Sequence, residues 1–270
     1  MPLRTTVIGC YPKPDYLEIP TWFKPNFDLS PAHYSEYCRK MPSDELEKLV
    51  KKATKDVIKE QIEMGIDVIS DGEMRRDNYV YYFCRHVNGF DFKNPVVKPI
   101  RNGACEIHMP RIIGKIGQCS EDDWVAKEWR LSQDMSRVPV KYTVPGPMTI
   151  IDSTHNEYYR NEELSEDLIK VINKQILGLA KAVAIEDAHR HNDLTLLKHF
   201  KKSQVVLGVV AVARSRVETA EEIRSRLSEA LKYIPAERLL VAPDCGLGFL
   251  PHGILKQKLQ NMVKAAKSLP

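Results

Sequence analysis

The 270-residue sequence predicts an α/β fold of the (β/α)8 TIM-barrel type. Near-continuous apolar strands alternate with amphipathic helices, which is typical of a parallel sheet covered by helices. Polar residues follow strand after strand, and a barrel collects such strand ends on one rim, where the active sites of these barrels lie. A doubly wound sheet would place a glycine-rich nucleotide loop after its first strand. The segment IGCYPKP at that place has one glycine and two prolines, which favours the barrel.

Composition indicates a globular protein. Hydrophobic residues make up 43% of the chain and charged residues 28%, which excludes extensive disorder. The net charge of +4, from 40 basic and 36 acidic residues, is too small to predict nucleic-acid binding. No run approaches the roughly 18 apolar residues of a membrane span, and the N-terminus lacks the apolar stretch of a signal peptide. The six cysteines form no C-x-x-C pair, so we expect reduced thiols in a cytoplasmic protein.

The first half of the chain predicts strand, loop, helix and strand. TTVIGCYP is the first strand, stopped by Pro12. Residues 11–42 are rich in proline and aromatic residues and are expected to form an irregular loop that covers a site. A helix is predicted from Ser43, as N-cap, to Gly65, because apolar residues recur on one face. The strand IDVISDGE follows and ends at two acids.

The alternation recurs in the second half. Residues 138–144 are a predicted strand, and Ser165 is the predicted N-cap of the next helix. Further strands are expected near residue 185, at 204–213 and near residue 241. Thr219 and Glu222 predict a capping box before the helix that precedes the last of these strands.

Between residues 90 and 135 the alternation of strands and helices is interrupted. HMPRIIGKIG predicts a hairpin, and DDWVAKEWRLSQ predicts a helix. We interpret residues 90–135 as an insertion within one domain that spans residues 1–270.

A carboxylate and a thiol at strand ends are candidate functional groups. Glu73 either pairs with Arg75 or Arg76 as an ordinary acid or holds a substrate ammonium group on the rim. Cys245 follows an apolar strand and is followed by glycines. Most such thiols are small buried hydrophobic groups. A thiol beside acids also suits zinc, which takes thiolate, imidazole and carboxylate ligands.

A second carboxylate lies at the end of the strand near residue 185. Glu186 is followed closely by His189 and His191. Histidines two positions apart reach one metal only in extended structure, so a solvated or capping role is favoured for these two.

Six segments, in order, resemble the catalytic barrel of cobalamin-independent methionine synthase, especially its short single-barrel members: TTVIGCYP, DGEMRRDNYVYYF, VPGPMTI, IEDAHRHNDLTLLKHF, GVVAVARSRVETAEEIRSRL and RLLVAPDCGLG. The resemblance implies a methyltransferase of methionine biosynthesis. In that family zinc binds the thiol of homocysteine, and the thiolate attacks the methyl group of a methyl-tetrahydrofolate-like donor. Zinc deprotonates a thiol whose pKa is otherwise about 8.5 while the sulfur stays nucleophilic.

The same resemblance implies roles for particular residues and assigns no catalytic acid or base. Glu186 and Cys245 match two of the four zinc ligands. The residues that match substrate-binding positions are Ile8, Gly9, Cys10 and Glu73, the last as the carboxylate that holds the substrate amine.

The chain also departs from the family pattern. The strand with the histidine-x-cysteine ligands and the strand before it, with a D-E-P motif, are absent. We therefore predict about six of eight barrel strands, a deletion junction near residues 183–185 and an incomplete zinc site. Ser153 aligns with a folate-stacking tryptophan and Ala213 with a proton-relaying histidine, so a corrinoid protein is an alternative methyl donor. Two alternatives stay open: an inactive truncated family member, or a zinc alkyltransferase that acts on another thiol.

Overall fold

A computed structural model describes residues 2–21, 32–100, 105–117, 123–160, 163–176, 182–186, 188, 193–200, 204–212 and 216–269. The strands in these ranges are β1 (Arg4–Thr5), β2 (Ile69–Ser70), β3 (Phe90–Ile100), β4 (Cys105–Ile112), β5 (Val140–Lys141), β6 (His155–Asn156), β7 (Ala182–Glu186), β8 (Gln204–Val210) and β9 (Leu239–Pro243). The α-helices are α1 (Ala32–Lys40), α2 (Ser43–Glu63), α3 (Tyr79–Arg85), α4 (Trp124–Gln133), α5 (Pro147–Asp152), α6 (Glu163–Ile176), α7 (Ala220–Ala230) and α8 (His252–Lys267). Short 3₁₀ helices cover Leu194–His199 and Ala236–Arg238.

Six of these strands run parallel in the spatial order β5, β2, β1, β9, β8, β7. A bridge between Thr6 and Val68 joins the β2–β5 pair to the four-stranded sheet. The prediction of an α/β fold built on parallel strands is confirmed. Within the described ranges no pairing joins β5 to β7, so no closed barrel is found. The number of strands missing from a barrel stays a prediction.

Helices α2, α7 and α8 cover the parallel strands and enclose the main core. On α2 the stripe expected from sequence is buried, with Val50, Ala53, Val57 and Ile58 at most 5% exposed. Every residue of β9 is buried, as a strand covered on both faces requires. None of the helices in the described part of the chain is both long and apolar enough to cross a bilayer.

The predicted insertion, residues 90–135, contains a hairpin that packs on a second hydrophobic core. Strands β3 and β4 pair antiparallel, and β6 adds to β4 in parallel. Arg111 ties the layer together, because its guanidinium reaches Asp91 at 2.9 Å and Glu157 at 3.1 Å. The hairpin predicted within HMPRIIGKIG is misplaced, because only residues 108–112 of that segment are strand, at the end of β4, and their partner is the earlier β3. The predicted helix in DDWVAKEWRLSQ is confirmed.

Two predicted helix caps are wrong, and one is confirmed. Ser43 is the first residue of α2, whose N-cap is Pro42 without a side-chain hydrogen bond. Ser165 lies inside α6, because the preceding Leu164 already belongs to the helix and is buried in the second core. The capping box of Thr219 and Glu222 is present with both of its hydrogen bonds.

The loop predicted over residues 11–42 contains a helix. Helix α1 begins one residue after Pro31, and no proline occurs again before Pro42. Nine residues without a proline suffice for two and a half turns of helix. The prediction is based on the number of prolines in the whole segment and overlooks this proline-free stretch. Residues 22–31 of the predicted loop, with Trp22, Phe23 and Phe27, lie outside the described residues.

Lys141 in β5 makes stability depend on pH. Burial lowers the pKa of its amine from 10.5 to about 8. The unfolded chain therefore binds more protons between those two pH values, and stability rises with pH across that window. We expect Lys141→Met to stabilise the protein at pH 7 by roughly 1–3 kcal/mol and to flatten this rise. Urea unfolding at pH 7 and pH 10 measures both effects. Lys141→Arg, which stays charged, should gain nothing, and equal pH slopes for Lys141→Met and wild type would refute the prediction.

Candidate active site

Residues that follow three parallel strands meet at one edge of the sheet. Cys10 follows β1, Glu73 follows β2, and Cys245 follows β9. The loops lie against one another, because the Leu247 amide donates to the Cys10 carbonyl at 2.8 Å and the Tyr11 amide donates to the Gly72 carbonyl at 3.0 Å. Parallel strands point their carboxyl ends the same way, so residues distant in sequence share this edge.

Glu73 has an unusual backbone conformation. Its φ is +55°, in the left-handed region that non-glycine residues rarely occupy. The preceding Gly72 has a φ of +66°, and the Glu73 amide donates to Asp71 Oδ1 at 3.0 Å. Such conformations cost about 1–3 kcal/mol, persist where the surroundings hold them, and cluster at functional sites. The D-G-E turn therefore holds its last side chain in one direction.

The Glu73 carboxylate is buried and hydrogen-bonded. Thr143 Oγ1 donates to Glu73 Oε1 at 2.7 Å. Arg76 Nη1 lies 3.7 Å from the same oxygen, so the pairing considered as an alternative is present but long. A Cβ on Gly9 would lie 2.4 Å from Glu73 Oε1. Glycine at position 9 thus leaves the space that the carboxylate occupies.

Arg76 helps to orient this carboxylate through Thr143. Its Nη1 donates to both the carbonyl and the hydroxyl oxygen of Thr143, at 3.0 and 2.9 Å. Its guanidinium lies 4.1 Å from the centre of the Tyr142 ring and pairs with Asp71 at 3.4 Å. Thr143 is held in the rotamer that donates to Glu73, because its hydroxyl also accepts from Arg76.

Lys13 and Cys10 complete the surroundings of Glu73. Lys13 Nζ donates to the Glu73 carbonyl oxygen at 2.8 Å. Burial lowers the pKa of the Lys13 amine. Burial, and secondly the charge of Glu73, raise the pKa of the Cys10 thiol far above its ordinary value. Cys10 is therefore a neutral thiol at pH 7, suited to packing against a ligand and unsuited to act as a nucleophile.

Cys245 is exposed beside Cys10. A Cβ on Gly246 would lie 3.0 Å from Cys10 Cβ, so glycine permits the contact between the two loops. The preceding Asp244 accepts a hydrogen bond from the Ala188 amide at 2.9 Å and is itself buried. The loop after β9 is thereby tied to the segment that follows β7.

The other predicted site residues are placed only in part. Ile8 packs beside the small apolar cluster of Val206, Leu240 and Ala242. Glu186 pairs with Gly208 at the end of β7, which puts its backbone on the same edge of the sheet. The Glu186 side chain and His189, His191 and Ala213 lie outside what the structure describes.

Comparison with known proteins identifies the family. The sequence profile described as "Cobalamin-independent synthase, Catalytic domain" matches residues 3–184 and 162–268. The chain belongs to this family. The family is one of enzymes, and its curated members similar to this chain are named methionine synthase. That of Saccharolobus solfataricus is 28% identical, covering 98% of this chain and 94% of its own length. That of Sulfurisphaera tokodaii is 29% identical, with 98% and 92% covered.

Solved structures show the same fold. A B12-independent methionine synthase from Shewanella sp. W3-18-1, in complex with selenomethionine, has a TM-score of 0.82 at 22% identity and covers 99% of this chain and 98% of its own. A putative vitamin-B12-independent methionine synthase from Listeria monocytogenes has a TM-score of 0.58 at 16% identity, with 96% and 98% covered. At these identities the likeness establishes the fold alone. It is the α/β fold of the cobalamin-independent methionine synthases.

The zinc site expected for this family stays a prediction. Among the described residues no group of three or more histidine, cysteine, aspartate or glutamate side chains is placed to hold a metal. Of the two predicted ligands, Cys245 alone has a side chain that the structure describes.

Two residues of the site, Lys13 and Thr143, are not singled out by the sequence pattern, and it does not predict the contacts of a third, Arg76. Lys13 lies in a loop in which the prolines dominate the pattern, and Thr143 lies in a predicted strand recognised by its apolar residues. Arg76 is a candidate partner of Glu73 from sequence, but its contacts with Thr143 and Tyr142 involve residues that follow β5, about 70 positions further along the chain. No local signal marks contacts of this range.

Proposed function

We propose that this member of the family transfers a methyl group to the thiol of a homocysteine-type amino acid, and that Glu73 binds the substrate ammonium group. The observation that carries the proposal is the buried Glu73 carboxylate, oriented by Thr143 and given room by Gly9. A buried carboxylate gains a charge-assisted hydrogen bond when an ammonium group binds. The selenomethionine in the Shewanella protein supports an amino-acid ligand of this shape.

In the proposed reaction the residues of this chain bind and orient the substrate. Glu73 fixes the ammonium group, while the neutral Cys10 thiol and Ile8 line the same strand end. Sulfur forms a bond to the methyl carbon as the bond between methyl and donor breaks and the donor keeps its electron pair. The thiol proton ends on the demethylated donor or in solvent. Binding in one orientation favours this bimolecular step, because the reacting atoms are held near each other. The donor is proposed to be methyl-tetrahydrofolate-like, with a corrinoid protein as the alternative.

Zinc is the proposed cofactor, with Glu186 and Cys245 as the ligands that the chain supplies. Catalytic zinc sites normally have three protein ligands and an open position. The described residues do not complete such a set. No step of the reaction is therefore assigned to the metal.

The proposed ligand Cys245 gives a testable expectation. If the chain holds zinc, Cys245→Ala should lower both the zinc content and the melting temperature, because a metal that binds only the folded state stabilises it. Zinc per chain is measured by elemental analysis after anaerobic purification. Cys38→Ala, on α1, is the control and should keep its zinc. An unchanged zinc content in Cys245→Ala removes this residue from the site.

A second candidate function is that of a catalytically inactive member of the family, and the length of the chain supports it. The alignment with the Saccharolobus solfataricus relative runs over 329 positions, 59 more than this chain has residues. One β/α unit takes about 30 residues, so the difference suits two missing units. The lack of a pairing between β5 and β7 in the described sheet supports the same interpretation, a barrel of six strands instead of eight.

A methyl-transfer assay separates the candidates. The full chain is given radiolabelled methyl-tetrahydrofolate or methylcobalamin together with homocysteine, coenzyme M or a simple alkyl thiol. Label in methionine supports the proposed function. Label only in thiols without an amino group indicates a related alkyltransferase, and no transfer from either donor indicates the inactive member. The same assay with the Saccharolobus solfataricus relative, 94% of whose length this chain matches, is the control that shows whether the assay conditions support methyl transfer.

A further inference from the structure

Among the described residues, Lys13 is a cation without an ion-pair partner in an acidic surrounding. It lies half-buried in the loop after β1, and the charges that act on its amine include Glu73, Asp77 and Asp71. In the described part of the chain, however, no carboxylate oxygen lies within 4.0 Å of Lys13 Nζ. Its one hydrogen bond there goes to the Glu73 carbonyl oxygen at 2.8 Å. An ammonium group has three donors, so two of them remain for a ligand.

This arrangement favours an anionic ligand. An enclosed charge loses hydration, and it recovers the loss only from a closely placed opposite charge. Asp71 already binds the Glu73 amide and Arg76, and Asp77 already pairs with Arg85. The Glu73 carboxylate lies more than 4.0 Å from the Lys13 amine, which therefore keeps donors directed at no carboxylate of the described residues.

We infer that Lys13 binds the α-carboxylate of the amino acid whose ammonium group Glu73 holds. The inference rests on the proposed function and assigns the second half of the amino-acid site. In an α-amino acid the two charged groups are attached to the same carbon atom. A matching pair of protein groups must be adjacent, and Lys13 Nζ contacts the Glu73 backbone directly. Lys13 then distinguishes α-amino acids from amines that lack a carboxylate.

A different role for Lys13 makes a different prediction. By donating to the carbonyl of Glu73, Lys13 also stabilises the left-handed turn. If that were its whole contribution, its loss would weaken every ligand that Glu73 binds. If Lys13 binds the carboxylate, its loss weakens only ligands that carry one.

The test compares two ligands within each variant. Binding of L-methionine and of L-methioninol, which has a hydroxyl in place of the carboxylate, is measured by calorimetry for wild type, Lys13→Met and Lys13→Arg. We expect Lys13→Met to weaken the binding of L-methionine by about 10- to 100-fold, which is the contribution of a hydrogen bond to a charged group. The affinity for L-methioninol should stay within about threefold of the wild-type value. Lys13→Arg should recover most of the L-methionine affinity. Lys59→Met, on the exposed face of α2, is the control and should bind both ligands as wild type does.

The outcomes separate this inference from the proposed function. An equal loss of both ligands in Lys13→Met, or no loss of either, overturns the carboxylate role while the function stands. Glu73→Gln should weaken both ligands. If wild type binds neither ligand at millimolar concentration, or if Glu73→Gln binds both as wild type does, the proposed function and this inference both fail.

Discussion

Gly9→Ala will weaken the binding of L-methionine by about 100-fold and destabilise the protein by roughly 1–3 kcal/mol. A methyl group at this position would lie 2.4 Å from Glu73 Oε1 and 2.8 Å from Thr143 Cγ2. These are less than contact distances, so the carboxylate must leave the position in which Thr143 holds it. Calorimetric titration measures the affinity, and urea unfolding measures the stability.

A matched glycine provides the control for this substitution. A methyl group added at Gly146, before α5, would meet no described atom within 4 Å beyond its neighbours in the chain, so Gly146→Ala should leave both quantities close to wild type. If Gly9→Ala bound L-methionine normally, the carboxylate would not be the amine-binding group, and the substrate assignment would be wrong.

Lys258→Met will lower the free energy of unfolding by about 3–5 kcal/mol, because it leaves a carboxylate unpaired in the interior. Lys258 is completely buried in α8. Its amine pairs with Glu218 at 2.7 Å and also donates to the carbonyl oxygens of Ala211 and Arg216. These groups belong to the segment after β8, so one side chain anchors that segment to the C-terminal helix.

Two further variants test the cause of this loss. Lys256→Met removes an exposed lysine two positions away, whose pairing with Glu60 is 3.8 Å long, and should change stability by less than about 1 kcal/mol. Adding Glu218→Gln to Lys258→Met should recover part of the loss, since it removes the unpaired charge. Urea unfolding of wild type, Lys258→Met, Glu218→Gln and the double variant of these two positions gives the coupling energy directly. Additive effects of the two substitutions would contradict the ion-pair explanation.

Elements with strong periodicity are predictable from the sequence, and those that depend on packing are not. Helix α2 follows from apolar residues that recur at the 3.6-residue period of a helix, and strand β8 follows from a continuous apolar run, as is typical of a strand buried on both faces. Helices α1, α3, α5 and α8 are not predicted from the sequence. The first three are short, and α3 is buried along five of its seven residues, so no polar face reveals its period. Tertiary contacts stabilise such segments where local preference does not.

For the site, the sequence predicts candidate residues but not what surrounds them. Glu73 is a candidate from its place at a strand end and, like Gly9, from resemblance to the family, and the structure brings the two into contact. The sequence predicts neither the +55° backbone angle of Glu73 nor the hydrogen bond from the Lys13 amine to the Glu73 carbonyl. This backbone angle is held by two hydrogen bonds, one donated by the Glu73 amide to Asp71 within the turn and one donated by Lys13 to the Glu73 carbonyl. The second joins residues 60 positions apart and forms only once the loops after β1 and β2 lie together.

The order of the six parallel strands, the apolar face of α2 and the family are readable from the chain, since each depends on residues close together or on a pattern of motifs. The contact of Thr143 with a carboxylate 70 positions earlier and the hydrogen bond from the Lys13 amine to the Glu73 carbonyl are not. They arise when parallel strands align their carboxyl ends. That alignment is a property of the assembled sheet, and no short segment of sequence carries it.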